Sequence, residues 1–308
     1  MSPASRPDGA GGGRRPAAGV ALVFIAAALW ATFGPLARVL YDRGYSPVEL
    51  ASVRTWLGVV GALAVAAVLR APLRIRRGDI AFFAAYGVVG FAAFETLLLA
   101  SFRHITVPVA ISLLYTAPVF VLLVSHYLWA ERVTSAKKLA LPLSIAGVLL
   151  VSGAAGSVIG GGTAIPREGL LLGLGAGFGY ALYTIFGRAS VPRAHPVAAV
   201  FWSFLFAAIA LTFLAPPLEP LTRDAGALPW LLALGIVPTL LPYLFYLQAL
   251  RTVQPGTAAM LACVEPLVAA LLAAVFLGER LSAIQAIGMS LIVGAAVVLV
   301  APARRSAN

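Results

Sequence analysis

Three charged side chains stand inside long apolar stretches of this 308-residue chain: Arg54, Glu95 and Glu265. A charge at membrane depth is costly unless paired, protonated or wetted, and such residues usually line a pathway. Arg54 lies about seven residues into its stretch and Glu95 about seven before the end of the next. Counted from the same side of a membrane, both are ~10 Å deep at about 1.5 Å per residue. Matching depth predicts an Arg54–Glu95 ion pair. It could pin two helices, or it could bind the charged ends of a zwitterion; the remaining possibility is an unpaired, snorkelling Arg54. Glu265 has no cation in its own stretch and is followed by Pro266. It reads either as a neutral acid hydrogen-bonded to a neighbouring helix or as a group that carries a proton or touches substrate. Nothing here resembles an enzyme. His104, His126 and His195 fall in three separate regions, and the single cysteine, Cys263, lies inside an apolar run. That leaves no disulfide or metal framework, and no HExxH, GxSxG or Walker pattern is present. No catalytic residue, metal or cofactor is expected.

Polar and aromatic side chains supply the remaining candidates. With the three charges, a substrate cavity is predicted to draw on Trp30, Thr32, Ser112, Tyr115, Tyr180, Tyr183, Trp202 and Tyr243. Thr116, Thr184, Ser203, Tyr246 and Gln248 share the central sections of the same stretches, where most such side chains pack rather than bind. Trp30 is favoured because Phe178, its counterpart in the repeat described below, is also aromatic. Tyr115 is favoured because it stands three residues before Pro118. Pro118 and Pro266 are expected to bend their helices, since proline removes an N–H and frees a carbonyl. Trp129 and Trp230, at stretch ends, read as interfacial anchors. The alternating glycines of LGLGAGFGY (Gly173, Gly175, Gly177, Gly179) lack the spacing and preceding strand of a phosphate loop, and fit close helix packing instead.

The elements that hold these residues follow from composition. The chain is 61% hydrophobic and 11% charged, with mean hydropathy +0.97; soluble domains carry roughly 25% charged residues. It is an integral membrane protein. Its net charge of +11 is spread through short loops rather than gathered in a patch, which argues against nucleic acid. A bilayer core of about 30 Å needs about 20 apolar residues per helix. On that basis the spans fall near 18–40, 48–69, 79–101, 106–129, 137–155, 168–188, 196–215, 228–250, 256–277 and 283–301. Residues 1–17 form a Gly/Pro/Arg-rich tail and 302–308 a second tail; the Gly-rich segment 156–167 is a linker. With the N-terminus in the cytoplasm, fifteen Lys and Arg lie on the cytoplasmic side and six opposite, which places both termini inside.

The chain also repeats itself. At an offset of 148 residues Leu113, Pro118, Glu131 and Arg132 meet Leu261, Pro266, Glu279 and Arg280, Arg103 meets Arg251, and Trp30 meets Phe178. Five spans per copy is an odd number, so the second copy, 168–301, must enter the membrane opposite to the first, 18–155. The expected fold is therefore all-α, ten transmembrane helices as two inverted five-helix repeats, with function where the copies face each other. Ala117 stands where the second copy has Glu265, so an acidic site would be asymmetric.

The stretch VEPLVAALLAAVFLGERLSAIQAIGMSLIVGAAVVL, its first-copy equivalent APVFVLLVSHYLWAERVTSAKKLALPLSIAGVLLV and the Pro47…Arg54 start of span two resemble the drug/metabolite transporter superfamily with paired EamA domains. The resemblance covers about residues 18–301 and is strongest to ten-helix exporters of amino acids and related metabolites, such as the aromatic amino acid exporter group. It implies a secondary transporter of the bacterial inner membrane that exports small metabolites, foremost amino acids, by alternating access. Other substrates handled by such folds are nucleotide sugars, sugar phosphates and drugs. The expected partners are a small-molecule substrate and membrane lipid, and the expected assembly is a monomer.

Overall fold

A hydrocarbon environment leaves a backbone no partner but itself, so a chain this apolar can cross it only as helices or a closed barrel. The computed structural model describes residues 14–154, 166–277 and 282–301, and among these it is helical throughout, with no strand. Residues 1–13 and 302–308 of the expected tails, most of the linker and the Glu279–Arg280 exit lie outside the described residues, and the end of the expected N-terminal tail, 14–17, already belongs to the first helix, Arg14–Ala31. Eight helical stretches among the described residues are long and apolar enough to span: Ala17–Tyr41, Pro47–Leu69, Arg77–Ser101, Val109–Trp129, Arg167–Ser190, Ala225–Ala249, Pro255–Leu272 and Ala283–Val300. Two further expected spans are 17-residue helices, Ser135–Val151 and Pro196–Thr212, about 25 Å long at 1.5 Å per residue. Helix starts follow local chemistry. Ser46 and Glu49 form a capping box before Pro47–Leu69, as Ser282 and Gln285 do before Ala283–Val300, and Thr134 caps Ser135–Val151.

The 148-residue offset recurs in the backbone. Ile80–Gly87, Ala93–Ser101, Val107–Leu114 and Ala117–Trp129 have counterparts Leu228–Gly235, Leu241–Ala249, Pro255–Ala262 and Glu265–Leu277, with both ends of each displaced by 148. Even a single π-helical turn is repeated, at Val88–Ala92 and Ile236–Leu240. Packing is reciprocal as well. The first helix lies against Leu241–Ala249, and Arg167–Ser190 lies against Ala93–Ser101, which is the same pairing with the halves exchanged. Pro47–Leu69 pairs with Pro196–Thr212, and Ser135–Val151 with Ala283–Val300.

That last pair needs its glycines. A Cβ on Gly288 would fall 2.8 Å from the Gly147 carbonyl oxygen, and one on Gly147 equally close to that of Gly288. The glycine run of Arg167–Ser190 acts similarly: a Cβ on Gly177 would meet the Leu113 carbonyl at 2.7 Å, and one on Gly179 the Phe94 Cβ at 2.7 Å. Small residues here let backbones approach, as close packing in membranes requires.

Three long helices are interrupted near their middles. The first breaks at Thr32, the second at Tyr115–Thr116, the third at Cys263–Val264. The Thr32 and Thr116 hydroxyls donate back to the Leu29 and Leu113 carbonyls at 2.7 and 2.6 Å, alongside the backbone N–H of the same threonines. Pro118 and Pro266 each sit second in the helix that follows a break. They therefore begin new segments rather than bend continuous ones, and at that position the missing N–H has no partner to lose.

Candidate functional site at the junction of the halves

The interruptions converge on a polar and aromatic centre. Arg54, from the Pro47–Leu69 helix, is buried and pairs with buried Glu95 of Ala93–Ser101. Its Nη1 donates to Thr239 Oγ1 at 3.3 Å, and the Thr239 hydroxyl in turn donates to the Leu234 carbonyl at 2.7 Å. The guanidinium lies over two rings, Phe33 at 5.1 Å and Phe91 at 5.7 Å, and stands within hydrogen-bonding reach of Tyr243. A cation between ring faces gains from their quadrupoles. The groups around Arg54 thus come from both halves, and four of them form two pairs of repeat mates: Glu95 and Tyr243 are 148 residues apart, as are Phe91 and Thr239.

Beyond Tyr243 lies an aromatic box. Trp30, two residues before the first break, meets Tyr243 at 5.2 Å, Tyr246 at 5.3 Å and Tyr180 at 6.4 Å between ring centres. Tyr183 meets Tyr243 at 4.9 Å, and the Thr184 and Tyr246 hydroxyls share a hydrogen bond at 3.2 Å. On the far side, half-buried Glu265 stands within reach of Tyr115, and Tyr180 lies within its electrostatic reach. Tyr115 itself packs with Cys263, Val148 and Ile292. Trp30, Tyr115, Tyr180, Tyr183 and Tyr243 are all buried. One end holds the Arg54–Glu95 ion pair, the other carries a carboxylate, and the wall between is aromatic.

Other expected site residues lie elsewhere. Trp202 donates its indole N–H to the Leu73 carbonyl at 2.8 Å and stacks on Phe206, near a helix end. Ser112 shares a 2.6 Å hydrogen bond with Ser152. Phe178 turns outward against Phe120, so the ring from the second half that meets Trp30 is Tyr180 instead. Phe33, Phe91 and Thr239 are site residues that the sequence does not single out, and Tyr246, grouped there with side chains that mostly pack, joins them. Among the described residues no three His, Cys, Asp or Glu converge as metal ligands would.

Each end of the bundle is fastened across the halves. At the end near the N-terminal helix start, Lys137 donates to Glu131 at 2.7 Å, to Gln254 at 2.7 Å and to the Arg132 carbonyl at 3.2 Å. Glu131 also accepts from the Gly256 N–H at 3.1 Å, and both ions are buried. At the opposite end Arg43 pairs with Asp224 at 2.9 Å and Arg223 with Glu49 at 3.1 Å. Tyr45, whose ring lies under Arg223, donates to the Pro220 carbonyl at 3.0 Å. The Arg43 side chain holds the Asp224 carboxyl below its ordinary range.

Long apolar helices, broken at mid-depth and meeting around an ion pair between two similar halves, define a multi-pass membrane transporter of the kind built from duplicated bundles. The profile of the EamA-like transporter family matches residues 17–153 and again 167–301. The chain belongs to that family. It is 28% identical over 215 residues to an uncharacterized transporter of Archaeoglobus fulgidus, covering 68% of this chain and 75% of that protein. It is 26% identical over 268 residues to the uncharacterized transporter YdfC of Bacillus subtilis, covering 86% and 85%. A shorter match, 30% identical over 131 residues, covers 42% of this chain and 44% of the threonine/homoserine exporter RhtA of Escherichia coli. One solved crystal structure superposes with a TM-score of 0.78 at 19% identity, over 92% of this chain and 96% of that one; this likeness concerns the fold.

Proposed function

We propose that the chain is a secondary transporter that exports small amphipathic metabolites, amino acids foremost, from the bacterial cytoplasm. Two inverted five-helix repeats, ten crossings in all, would rock about the junction, with both termini cytoplasmic. The observation that carries this reading is the site itself. A buried Arg54–Glu95 pair, fed by Thr239 and Tyr243 from the other half, adjoins an aromatic box and the Glu265 carboxylate. Cation, carboxylate and apolar wall complement the carboxylate, ammonium and side chain of an amino acid. The reciprocal packing and the 148-residue recurrence of helix ends support the repeat, and an odd number of crossings per copy supports its inversion. The odd charge distribution of the loops supports the orientation. The partial match to an exporter of threonine and homoserine agrees with an amino acid substrate.

The test is counterflow. Purified protein in liposomes preloaded with unlabelled amino acids should draw labelled amino acid inward, and liposomes preloaded with sugar phosphates should not. Equal uptake with no amino acid inside would refute the assignment.

A further inference from the structure

The centre has more donors than it uses. Among the described residues, two buried donor-only atoms at the site have no hydrogen-bond partner: the indole Nε1 of Trp30 and the Nε of Arg54. Both side chains are more than nine-tenths buried, at 7% and 5% exposed. The carboxylate, threonine and carbonyl acceptors around Arg54 and the helix breaks are engaged. Glu95 takes Arg54, Thr239 takes the Arg54 Nη1, and the Leu29, Leu113 and Leu234 carbonyls take threonine hydroxyls. A buried donor left unpaired is costly, whereas one met by an incoming acceptor contributes to binding.

The two donors flank one residue. Trp30 packs on Tyr243 with ring centres 5.2 Å apart, and the Arg54 guanidinium stands within reach of the same phenol. Trp30 also lies two residues from the break at Thr32. Movement at that break, of the kind discontinuous transporter helices undergo, would turn the indole N–H relative to Arg54. Glu265 lies on the other side of Trp30, beyond Tyr180, within reach of Tyr115.

We infer that the Trp30 indole N–H and Arg54 Nε together read a carboxylate on the substrate, with Trp30 as a specificity-determining residue. This rests on the amino acid reading above and sharpens it. Trp30 Nε1 and Arg54 Nε can only donate, and the unpartnered Tyr183 hydroxyl beside Tyr243 can donate as well, so an acid group is what these atoms select. An ammonium, where present, adds contact at Glu265 but is not required. Substrates therefore extend to 2-hydroxy acids of matching side chain and exclude the corresponding amines.

Thermal stabilisation of the full-length protein in nanodiscs tests this with three ligand sets: the twenty protein amino acids, their 2-hydroxy acids, and their decarboxylated amines. In the wild type, amino acids and the matching hydroxy acids should stabilise, with the amines at least tenfold weaker. Trp30→Phe keeps a ring and removes the donor; it should weaken both acid sets about tenfold, the order expected for losing a hydrogen bond to a charged group. Amines that stabilise the wild type as well as the acids would overturn this inference and leave the transport reading standing. No stabilisation by any set would overturn both. Trp30→Phe binding the acids as tightly as wild type would reduce Trp30 to packing. The wild-type comparison between acids and amines decides the carboxylate rule even if that variant unfolds.

Discussion

Removing one partner of the Arg54–Glu95 pair should destabilise the protein far more than removing both. The two side chains are only 6% and 10% exposed, so neither charge can be rehydrated in place. Breaking a buried pair from one side costs about 3–5 kcal/mol, because it strands the remaining charge. At about 1.4 kcal/mol per tenfold, that lowers the folded-to-unfolded ratio by roughly two to three and a half powers of ten. Arg54→Met should fall at the upper end, since it also removes the bond to Thr239 and the contacts over Phe33 and Phe91. Glu95→Gln should fall at the lower end, because the guanidinium keeps Thr239, Tyr243 and both rings. The double variant carries no stranded charge and should lose no more than about 2 kcal/mol, a coupling of at least about 4 kcal/mol. Equilibrium unfolding in mixed micelles measures all four forms. Additivity within about 0.5 kcal/mol would show that the two side chains do not support one another.

Four further outcomes are expected. Gly288→Leu should overpack the Ser135–Val151 and Ala283–Val300 contact, where a Cβ alone falls 2.8 Å from a backbone oxygen; the loss should be about 1–3 kcal/mol or more, read as a drop in melting temperature. Lys137→Met should cost about 3–5 kcal/mol by stranding the Glu131 carboxylate, and the Glu131→Gln/Lys137→Met double variant should recover much of it; a drop from Lys137→Met below about 1 kcal/mol would count against a structural fastening. Glu265→Gln keeps size and hydrogen bonding but cannot titrate; if this carboxylate couples protons, the variant loses accumulation driven by a pH gradient and keeps counterflow. Wild-type rates that are identical with and without the gradient would remove the coupling role. Finally, reporters at positions 74 and 222 should lie on opposite faces of the membrane, position 74 inside, and labelling of both from one face would break the topology.

Much of the architecture was legible because membranes impose a coarse grammar. Length and hydropathy mark the eight membrane-length helices among the described residues, and the 148-residue offset found in side chains reappears in helix ends as sharply as at Leu241–Ala249. The Arg54–Glu95 contact was legible from depth alone, since two charges at one level have few other partners. Rotation about each helix was not. Phe178 and Tyr180 are two residues apart, about 200° around a helix at 3.6 residues per turn. One therefore faces outward and the other faces Trp30, and no hydrophobic stripe betrayed which, because lipid and core are equally apolar. Trp202 was misjudged for a related reason: its indole is claimed by the Leu73 carbonyl of a loop whose path the sequence does not reveal. Thr239 and Tyr243 had a readable signal. Carrying Phe91 and Glu95 forward by the repeat offset lands on them.

The two fastenings across the halves differ in one respect that reaches beyond stability. Lys137 and Glu131 are 5% and 1% exposed, whereas Arg43 and Asp224 are 38% and 39% exposed. Dissolved ions screen exposed charges within a Debye length of about 10 Å at 0.1 M, and leave buried pairs nearly untouched. Ionic strength is thus a one-ended solvent variable for this molecule. Added salt loosens the face held by Arg43, Asp224, Arg223 and Glu49, while the face held by Lys137 stays shut. A bundle with otherwise matching halves acquires a direction in this way, from nothing more than where water reaches its charges.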